Sequence, residues 1–223
     1  MSHIMNIFTF LFDFIMNIDD HLVEIVHNFG AWTYVIVFLI IFVETGAVIL
    51  PFLPGDSLLF ASSALAANAA YHLNPWLFPI LFFVAAVLGD SLNFWIGKHS
   101  ERLLSKYKWF NKLISQESLE KGREFFDKKG SVAIILARFM PIIRTFVPFV
   151  AGSTNFPYKK FVQYNIFAAF IWVVICCGAG HFFGNIPVVK EHFSMIILGI
   201  IGVSLIPAIV GLCKAKFGKK EVA

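Results

Sequence analysis

The stretch of sequence that decides the fold is ETGAVILPFLPGDS, residues 44–57, where an apolar run is flanked by acidic residues and broken by two prolines. An apolar segment over 32–43 precedes it, and a short one over 57–67 follows. The short segment would form a helix about 16 Å long, half of a ~30 Å hydrocarbon core. Prolines break helices, and broken backbone at membrane depth needs a cover of protein or water. Residues 32–68 are therefore predicted to form a re-entrant hairpin.

A second stretch repeats this pattern later in the chain. Residues 137–154 read ARFMPIIRTFVPFVAGST, in which arginines and prolines again interrupt an apolar run. The segments PFLPGDS (51–57) and PFVAGST (148–154) share three identical positions, and each region precedes a long apolar segment. This predicts a second re-entrant hairpin over 131–157 and a duplicated unit of hairpin plus helix. The residues assigned to the hairpin tips are Pro51, Pro54, Gly55, Pro141, Pro148 and Gly152.

The composition predicts an all-α integral membrane protein. The chain is 58% hydrophobic and 14% charged, whereas soluble domains carry about 25% charged residues. One membrane domain is predicted over 30–213, preceded by an amphipathic or apolar helix at 1–29 and followed by a basic tail at 214–223. Its full transmembrane helices are predicted over 76–97, 161–184 and 192–213, since each segment is long enough to span a bilayer.

The distribution of positive charge predicts the orientation. No Lys or Arg occurs before Lys98, and the 18 that follow concentrate in a loop at 98–130, predicted to be a helical hairpin, and in the tail. Both regions are therefore expected in the cytoplasm. The first hairpin would then enter the membrane from outside and the second from inside, which makes an inverted repeat, as in many secondary transporters. Acidic residues alternate with the basic ones of the loop, so a nucleic-acid partner is excluded.

Five charged residues lie inside otherwise apolar stretches of the predicted membrane domain. An ionised side chain at the bilayer centre costs about 2.5–3.5 kcal/mol on insertion scales, so such residues normally face a protein interior or a wet cavity. We interpret them as a substrate and proton site, with structural ion pairs between the hairpins as the alternative. The five residues are Glu44, Asp56, Asp90, Arg138 and Arg144.

The chemistry of these residues suits an anion carried with a proton. Glu44 and Asp56 flank the first hairpin tip, and two neighbouring carboxylates repel each other, so one is expected to hold a proton. Arg138 and Arg144 are separated by Pro141, which breaks the helix and allows the two side chains to converge. Arginine suits a phosphate because it is always charged and offers two parallel donors.

Weaker candidates surround these charges. Asn93 and Trp95 lie beside Asp90 and either line a path or only pack. Tyr158 and Trp172 are predicted to be interfacial anchors, because aromatic residues are enriched at membrane–water boundaries. The three cysteines lie in apolar stretches without a CxxC pair, which favours ordinary apolar helix residues over a disulfide framework or a metal site.

Three motifs together resemble the DedA family, also called the VTT or SNARE-associated domain family. They are ETG…PFLPGDS over 44–57, GDS over 89–91, and ARFMPIIRT…PFVAG over 137–152. The resemblance covers roughly 29–187. It implies an inner-membrane protein with paired re-entrant hairpins, and lipid movement as the activity, with undecaprenyl phosphate or phosphatidylethanolamine as family substrates. It also implies dependence on the proton gradient and functional roles for Glu44, Asp56, Arg138 and Arg144.

The sequence thus leads to three functional hypotheses. The first is proton-coupled translocation of an anionic lipid, undecaprenyl phosphate or a phospholipid. The second is proton-coupled transport of a small ion or drug, and the third is a non-transporting membrane protein needed for envelope integrity. No HExxH, GxSxG or Walker pattern occurs, so neither enzymatic activity nor a cofactor or metal is expected. The expected partners are a membrane lipid and protons, and a homo-oligomer is left open.

The orientation can be tested by cysteine labelling. A cysteine introduced at Ser115, in the basic loop at 98–130, should stay unlabelled by an impermeant thiol reagent applied to intact cells, because the loop is expected inside. The same cysteine should react once the cells are permeabilised. Efficient labelling before permeabilisation would contradict the inverted repeat.

Overall fold

The computed structural model is helical in every element of the residues it describes. These are 18–46, 55–100, 116–154, 156–184 and the single positions 186, 187, 189, 195 and 199. The prediction of an all-α chain is confirmed over these residues. The predicted helix over 192–213, apart from its two described positions, lies outside them, as do the tail at 214–223, Pro51 and Pro54.

Eight α-helices and one 3₁₀ turn, Ala69–Tyr71, make up the described chain. Two of these described helices are long and apolar enough to cross a membrane, one of 22 and one of 26 residues. At 1.5 Å per residue they are about 33 and 39 Å long, against a ~30 Å hydrocarbon core. The described helices are α1 Ile18–Phe29, α2 Trp32–Gly46, α3 Gly55–Ala66, α4 Leu77–Lys98, α5 Gln116–Lys129, α6 Val132–Ala137, α7 Pro141–Ser153 and α8 Tyr158–Phe183. The two long helices are α4 and α8.

The chain forms two compact units, each assembled from segments that are distant in sequence. The described part of the first unit comprises 18–40, 55–83, 173–184 and the single positions 186, 187, 189, 195 and 199. The described part of the second comprises 41–46, 84–100, 116–154 and 156–172. Helices α2, α4 and α8 therefore each contribute residues to both units.

In the first unit, α3 packs against the C-terminal part of α8 through glycines. A Cβ atom on Gly180 would collide with the backbone of Phe60, and one on Gly184 would collide with Ala64. Small residues four apart let helix backbones approach closely, which is how helices associate where lipid removes the hydrophobic driving force. Helix α1 packs on the same α3 and buries Leu22 almost completely.

In the second unit, α7 uses the same kind of contact with α4. A Cβ on Gly152 would collide with the backbone of Phe94, and one on Gly97 would collide with the backbone of Phe149. On its other side, α7 packs against α5 and α6. Helix α5 contributes Phe126 to the apolar cluster there, while most of its described charged side chains are exposed.

The second hairpin region turns at Pro141, one of the three residues predicted for its tip. Helix α6 ends at Ala137, and the chain is extended at Met140 before Pro141 opens α7. A residue before proline avoids the helical conformation, and proline suits the first helical turn, so the break falls here. Pro148 and Gly152 instead lie inside α7, so their assignment to the tip is wrong. Gly55 begins α3.

Tight packing explains why Pro148 does not break α7. Its neighbours Val147 and Phe149 are almost fully buried in the apolar cluster of the second unit. Proline removes one backbone donor and crowds the preceding turn, but the packed side chains on either side hold the helix together. A proline pattern in sequence therefore marks a break only where packing does not oppose it.

The glycine contact in the first unit gives a matched pair of substitutions on α8. Gly180→Ala should destabilise the protein by about 1–3 kcal/mol, because its Cβ would overpack rigid backbone at Phe60. Gly178→Ala is the control, since nothing lies within 4 Å of a Cβ at that position. The melting temperature of each variant in detergent measures the effect. Equal melting temperatures for the two variants would refute the close contact.

Candidate functional site

Four of the five predicted charged residues form two buried ion pairs in the second unit. Arg138 Nη1 lies 2.5 Å from Asp90 Oδ2, and both side chains are at most 5% exposed. Arg144 Nη1 lies 3.6 Å from Glu44 Oε1, with both side chains at most 8% exposed. Each pair joins separate elements: Asp90 is on α4 and Arg138 follows α6, while Glu44 lies in the last turn of α2 and Arg144 in the first turn of α7.

Both arginines also lie over a single indole ring. The guanidinium carbon of Arg144 is 4.4 Å from the centre of the Trp172 ring, and that of Arg138 is 5.2 Å from it. These distances permit cation–π attraction, which is strongest for tryptophan and for desolvated cations. Trp172 is 2% exposed, so its prediction as an interfacial anchor is wrong. Its place beside the arginines was not predicted, because no sequence pattern relates it to them.

The break at Met140 is what lets the two arginines meet. Six residues along an unbroken helix correspond to a rotation of about 240°, which would leave the two side chains about 120° apart around the axis. Arg138 instead follows α6, and Arg144 lies in the first turn of α7, beyond the extended Met140. The convergence that Pro141 was expected to permit is therefore present in the structure.

Two buried asparagines, Asn165 and Asn93, form hydrogen bonds with groups on neighbouring elements. Asn165 Oδ1 accepts a hydrogen bond from Arg138 Nη1 at 3.0 Å, and Asn165 Nδ2 donates to the carbonyl of Val87 at 3.3 Å. Asn93 Nδ2 donates to the carbonyl of Thr145 at 2.7 Å. Asn93 therefore packs as a cross-link between α4 and α7. Asn165 was missed, although an amide within an apolar membrane-length segment is a signal that could have found it.

Arg138 retains hydrogen-bonding capacity that its neighbours do not use. Its Nε and Nη2 atoms are buried and have no hydrogen-bond partner among the described residues. A buried donor left without a partner costs about 1–3 kcal/mol, so such a group marks a place where a ligand would be favoured. Nε and Nη2 share one edge of the guanidinium, and such paired donors can bind two oxygens of one phosphate or carboxylate. These two donor atoms therefore have the chemistry that an oxyanion requires of a partner.

The fifth charged residue, Asp56, lies elsewhere in the described chain. It is the second residue of α3, is half-buried, and belongs to the first unit. Its predicted proximity to Glu44 stays a prediction. Trp95, the other residue noted beside Asp90, is 55% exposed.

Comparisons with known proteins agree on one family. The VTT domain model matches residues 53–182. The chain is 45% identical to Protein DedA of Escherichia coli over 95% of its own length and 96% of that protein. It is 39% identical to an uncharacterised membrane protein of Mycobacterium leprae, covering 77% and 75% of the two chains. It is 29% identical to the inner membrane protein YghB of E. coli, covering 88% and 86%. No solved structure matches the chain.

The Asp90–Arg138 pair predicts a specific stability cycle. Asp90→Leu alone should destabilise the protein by about 3–5 kcal/mol, because it leaves a buried guanidinium without its carboxylate. The double variant Asp90→Leu, Arg138→Met should recover most of that loss, since no buried charge remains at the pair. Melting temperatures in detergent measure both.

An exposed pair supplies the control for this cycle. Glu120 lies 3.9 Å from Arg123 on α5, and both side chains are more than half exposed. Glu120→Ala should therefore change stability by no more than about 1 kcal/mol. If the double variant at Asp90 and Arg138 were as unstable as the Asp90 single variant, the unpaired buried charge would not be the cause of the lost stability.

Proposed function

The chain belongs to the DedA family of VTT-domain inner-membrane proteins, and from this premise we propose that it translocates an anionic lipid across the membrane with proton coupling. The observation that carries the proposal is the pair of buried arginines over Trp172, one of which has two unused donors. The substrate class is a lipid with a phosphate headgroup, undecaprenyl phosphate or a phospholipid. The activity is transport rather than catalysis.

The arginines supply the affinity for phosphate. A phosphate offers several acceptor oxygens in a geometry that a guanidinium matches with two parallel N–H donors. The unused edge of Arg138 presents such a pair, and Arg144 lies over the same indole ring. In a membrane interior these interactions are stronger than in water, because the local dielectric is low.

The carboxylates supply the coupling to protons. Asp90 and Glu44 balance the two positive charges of Arg138 and Arg144, so an incoming phosphate brings negative charge that nothing offsets. Protonation of one carboxylate would restore the balance and free its arginine for the phosphate. Loss of that proton would let the carboxylate reclaim the arginine and displace the lipid. We propose that this competition couples lipid movement to the proton gradient.

One observation favours a second candidate function. The Asp90–Arg138 contact is short, and both side chains are almost completely buried, as expected of a pair that only holds helices together. This favours a non-transporting protein needed for envelope integrity. The two candidate functions predict different effects of an Arg→Lys substitution at Arg138 or Arg144. Lysine keeps the positive charge that a structural ion pair needs but lacks the bidentate geometry that a phosphate needs.

The predicted orientation in the membrane and the inverted repeat are part of the same proposal. We place the loop at 98–130 and the C-terminus in the cytoplasm, and the two hairpins as an inverted repeat. The glycine contacts support such a duplication. The second helix of the first predicted hairpin, α3, contacts α8 through glycines, and the second helix of the other hairpin, α7, contacts α4 in the same way.

Reconstitution into liposomes tests the transport of lipid phosphate. Flipping of fluorescent or chemically reportable lipid phosphates should occur across a pH gradient, and Arg138→Lys and Arg144→Lys should each slow it at least about tenfold, the factor that loss of 1.4 kcal/mol gives. Arg123→Lys is the matched control, since Arg123 is half exposed on α5. Wild-type rates in both buried-site variants would contradict the phosphate interaction and favour the structural role.

The same liposomes test the coupling separately. Glu44→Gln and Asp90→Asn nearly keep the size of each side chain but cannot titrate, so the variant at the coupling carboxylate should still bind lipid phosphate while losing the response to the pH gradient. Their melting temperatures establish that the proteins are folded. If both variants kept normal transport with an unchanged pH profile, proton coupling would be refuted while lipid transport could stand.

A further inference from the structure

A cavity of about 370 Å³ lies within the first unit, and none of its lining residues is assigned to the phosphate site. Its size falls within the range of small-molecule sites, about 300–1,000 Å³. It is formed where α4 begins and α8 ends, with one residue from α3. The residues that carry the argument are Ser63, Trp76, Val174, Cys177, Gly178 and His181.

The wall of this cavity is apolar, with few polar groups. None of its described lining residues is a lysine, arginine or carboxylate; its polar side-chain groups are a hydroxyl, a thiol, an indole N–H and an imidazole. A water molecule needs two to four polar partners to be stable in a cavity. Without a cation in the wall, the cavity also offers no counter-charge for a phosphate. Its chemistry therefore suits hydrocarbon rather than water or a lipid headgroup.

The position of the cavity makes it accessible to lipid. Trp76 directly precedes α4 and is 77% exposed, and Phe182 near the end of α8 is 75% exposed. Both α4 and α8 are long enough to cross the membrane, so their ends lie at a membrane–water boundary, where exposed tryptophan is typical. Val174, about two turns deeper on α8 than Phe182, is also half exposed. The cavity thus opens on a surface that membrane lipid covers.

Gly178 forms part of the wall, and its missing side chain leaves the space open. Nothing lies within 4 Å of a Cβ built there, whereas a Cβ on Gly180, two residues further on, would collide with Phe60. The two glycines therefore have different roles. Gly180 permits helix contact, and Gly178 lines an empty volume.

We propose that this cavity is a binding site for one hydrocarbon chain of a membrane lipid, which enters at the membrane boundary with the polar part of the lipid beside His181. The proposal stands apart from the proposed function, since it uses no residue of the arginine site and requires no transport. If the chain does transport lipid, the cavity holds an apolar tail while a different part of the protein binds phosphate.

Photo-crosslinking tests the site directly. The purified full-length protein is placed in nanodiscs that contain a phospholipid with a diazirine at the end of one acyl chain, and adducts are mapped by mass spectrometry after illumination. Adducts should appear at Val174, Cys177 and Trp76. Gly178→Phe should lower them about tenfold, the factor for 1.4 kcal/mol, because the ring would occupy the cavity and its Cβ atom has nothing within 4 Å.

Two further variants keep the test decisive. Ile175→Phe is the matched control, since Ile175 is 55% exposed on the same helix and does not line the cavity; it should leave the adducts unchanged. Val174→Trp fills the cavity from an exposed position. It replaces Gly178→Phe in the test if the melting temperature of Gly178→Phe is lowered. Adducts that both filling variants leave unchanged would overturn the proposal, as would stronger labelling of the cavity by a lipid carrying its diazirine in the headgroup.

The outcome is independent of the arginine site. Arg144→Lys should leave acyl-chain adducts intact even where it abolishes flipping, so failure of one idea does not imply failure of the other. An alternative outcome is that a short thiol crosslinker attached to Cys177 captures residues 193–213 instead of lipid. That result would show that a segment of this chain occupies the cavity, and it would overturn the proposal.

Discussion

A guanidinium buried in a membrane protein must have a carboxylate within reach, and the second unit is arranged around that requirement. Leaving Arg138 or Arg144 uncompensated would cost several kcal/mol. The two arginines and their partners draw on four different segments, and Trp172 on α8 adds a fifth. The ion pairs thus fix which helices must be neighbours. Apolar packing alone is less specific, because lipid tails solvate an apolar helix face as well as another helix does.

Close contact between helices depends on glycine where no ion pair is present. Gly180 and Gly184 bring α8 against α3, and Gly97 and Gly152 bring α4 against α7. Backbone atoms then touch directly, and dispersion forces replace the hydrophobic effect as the source of stability. Gly178, on the same helix as Gly180, contributes nothing to such contact, which shows that glycine in a membrane helix has to be interpreted from its surroundings.

Much of the architecture could be predicted from the sequence because the membrane restricts the possibilities. Runs of apolar residues predicted the crossing helices α4 and α8, and charges inside apolar stretches predicted Glu44, Asp90 and the arginines as buried groups. Trp172 was misassigned because interfacial and buried tryptophans have the same local sequence pattern.

Of the prolines predicted to lie at the second turn, Pro141 does so and Pro148 does not, and the difference has a physical reason. Pro141 and Pro148 look alike in sequence, but one follows an extended residue while the other is held in a helix by buried neighbours. Asn165 was overlooked because a single amide in an apolar run acquires meaning only when the arginine next to it is known. Such tertiary relations between distant segments are not encoded in any local pattern.

The order in which these segments appear along the chain has a consequence for biosynthesis. Each unit includes part of α8, so neither core can close until the ribosome has made that helix. Asp90 is translated 48 residues before Arg138, an interval of roughly 2–10 seconds at about 5–20 residues per second. During this time the carboxyl group must be protonated, hydrated or held by the insertion machinery. A cell that makes this protein therefore handles an acidic group in its membrane before the compensating positive charge exists.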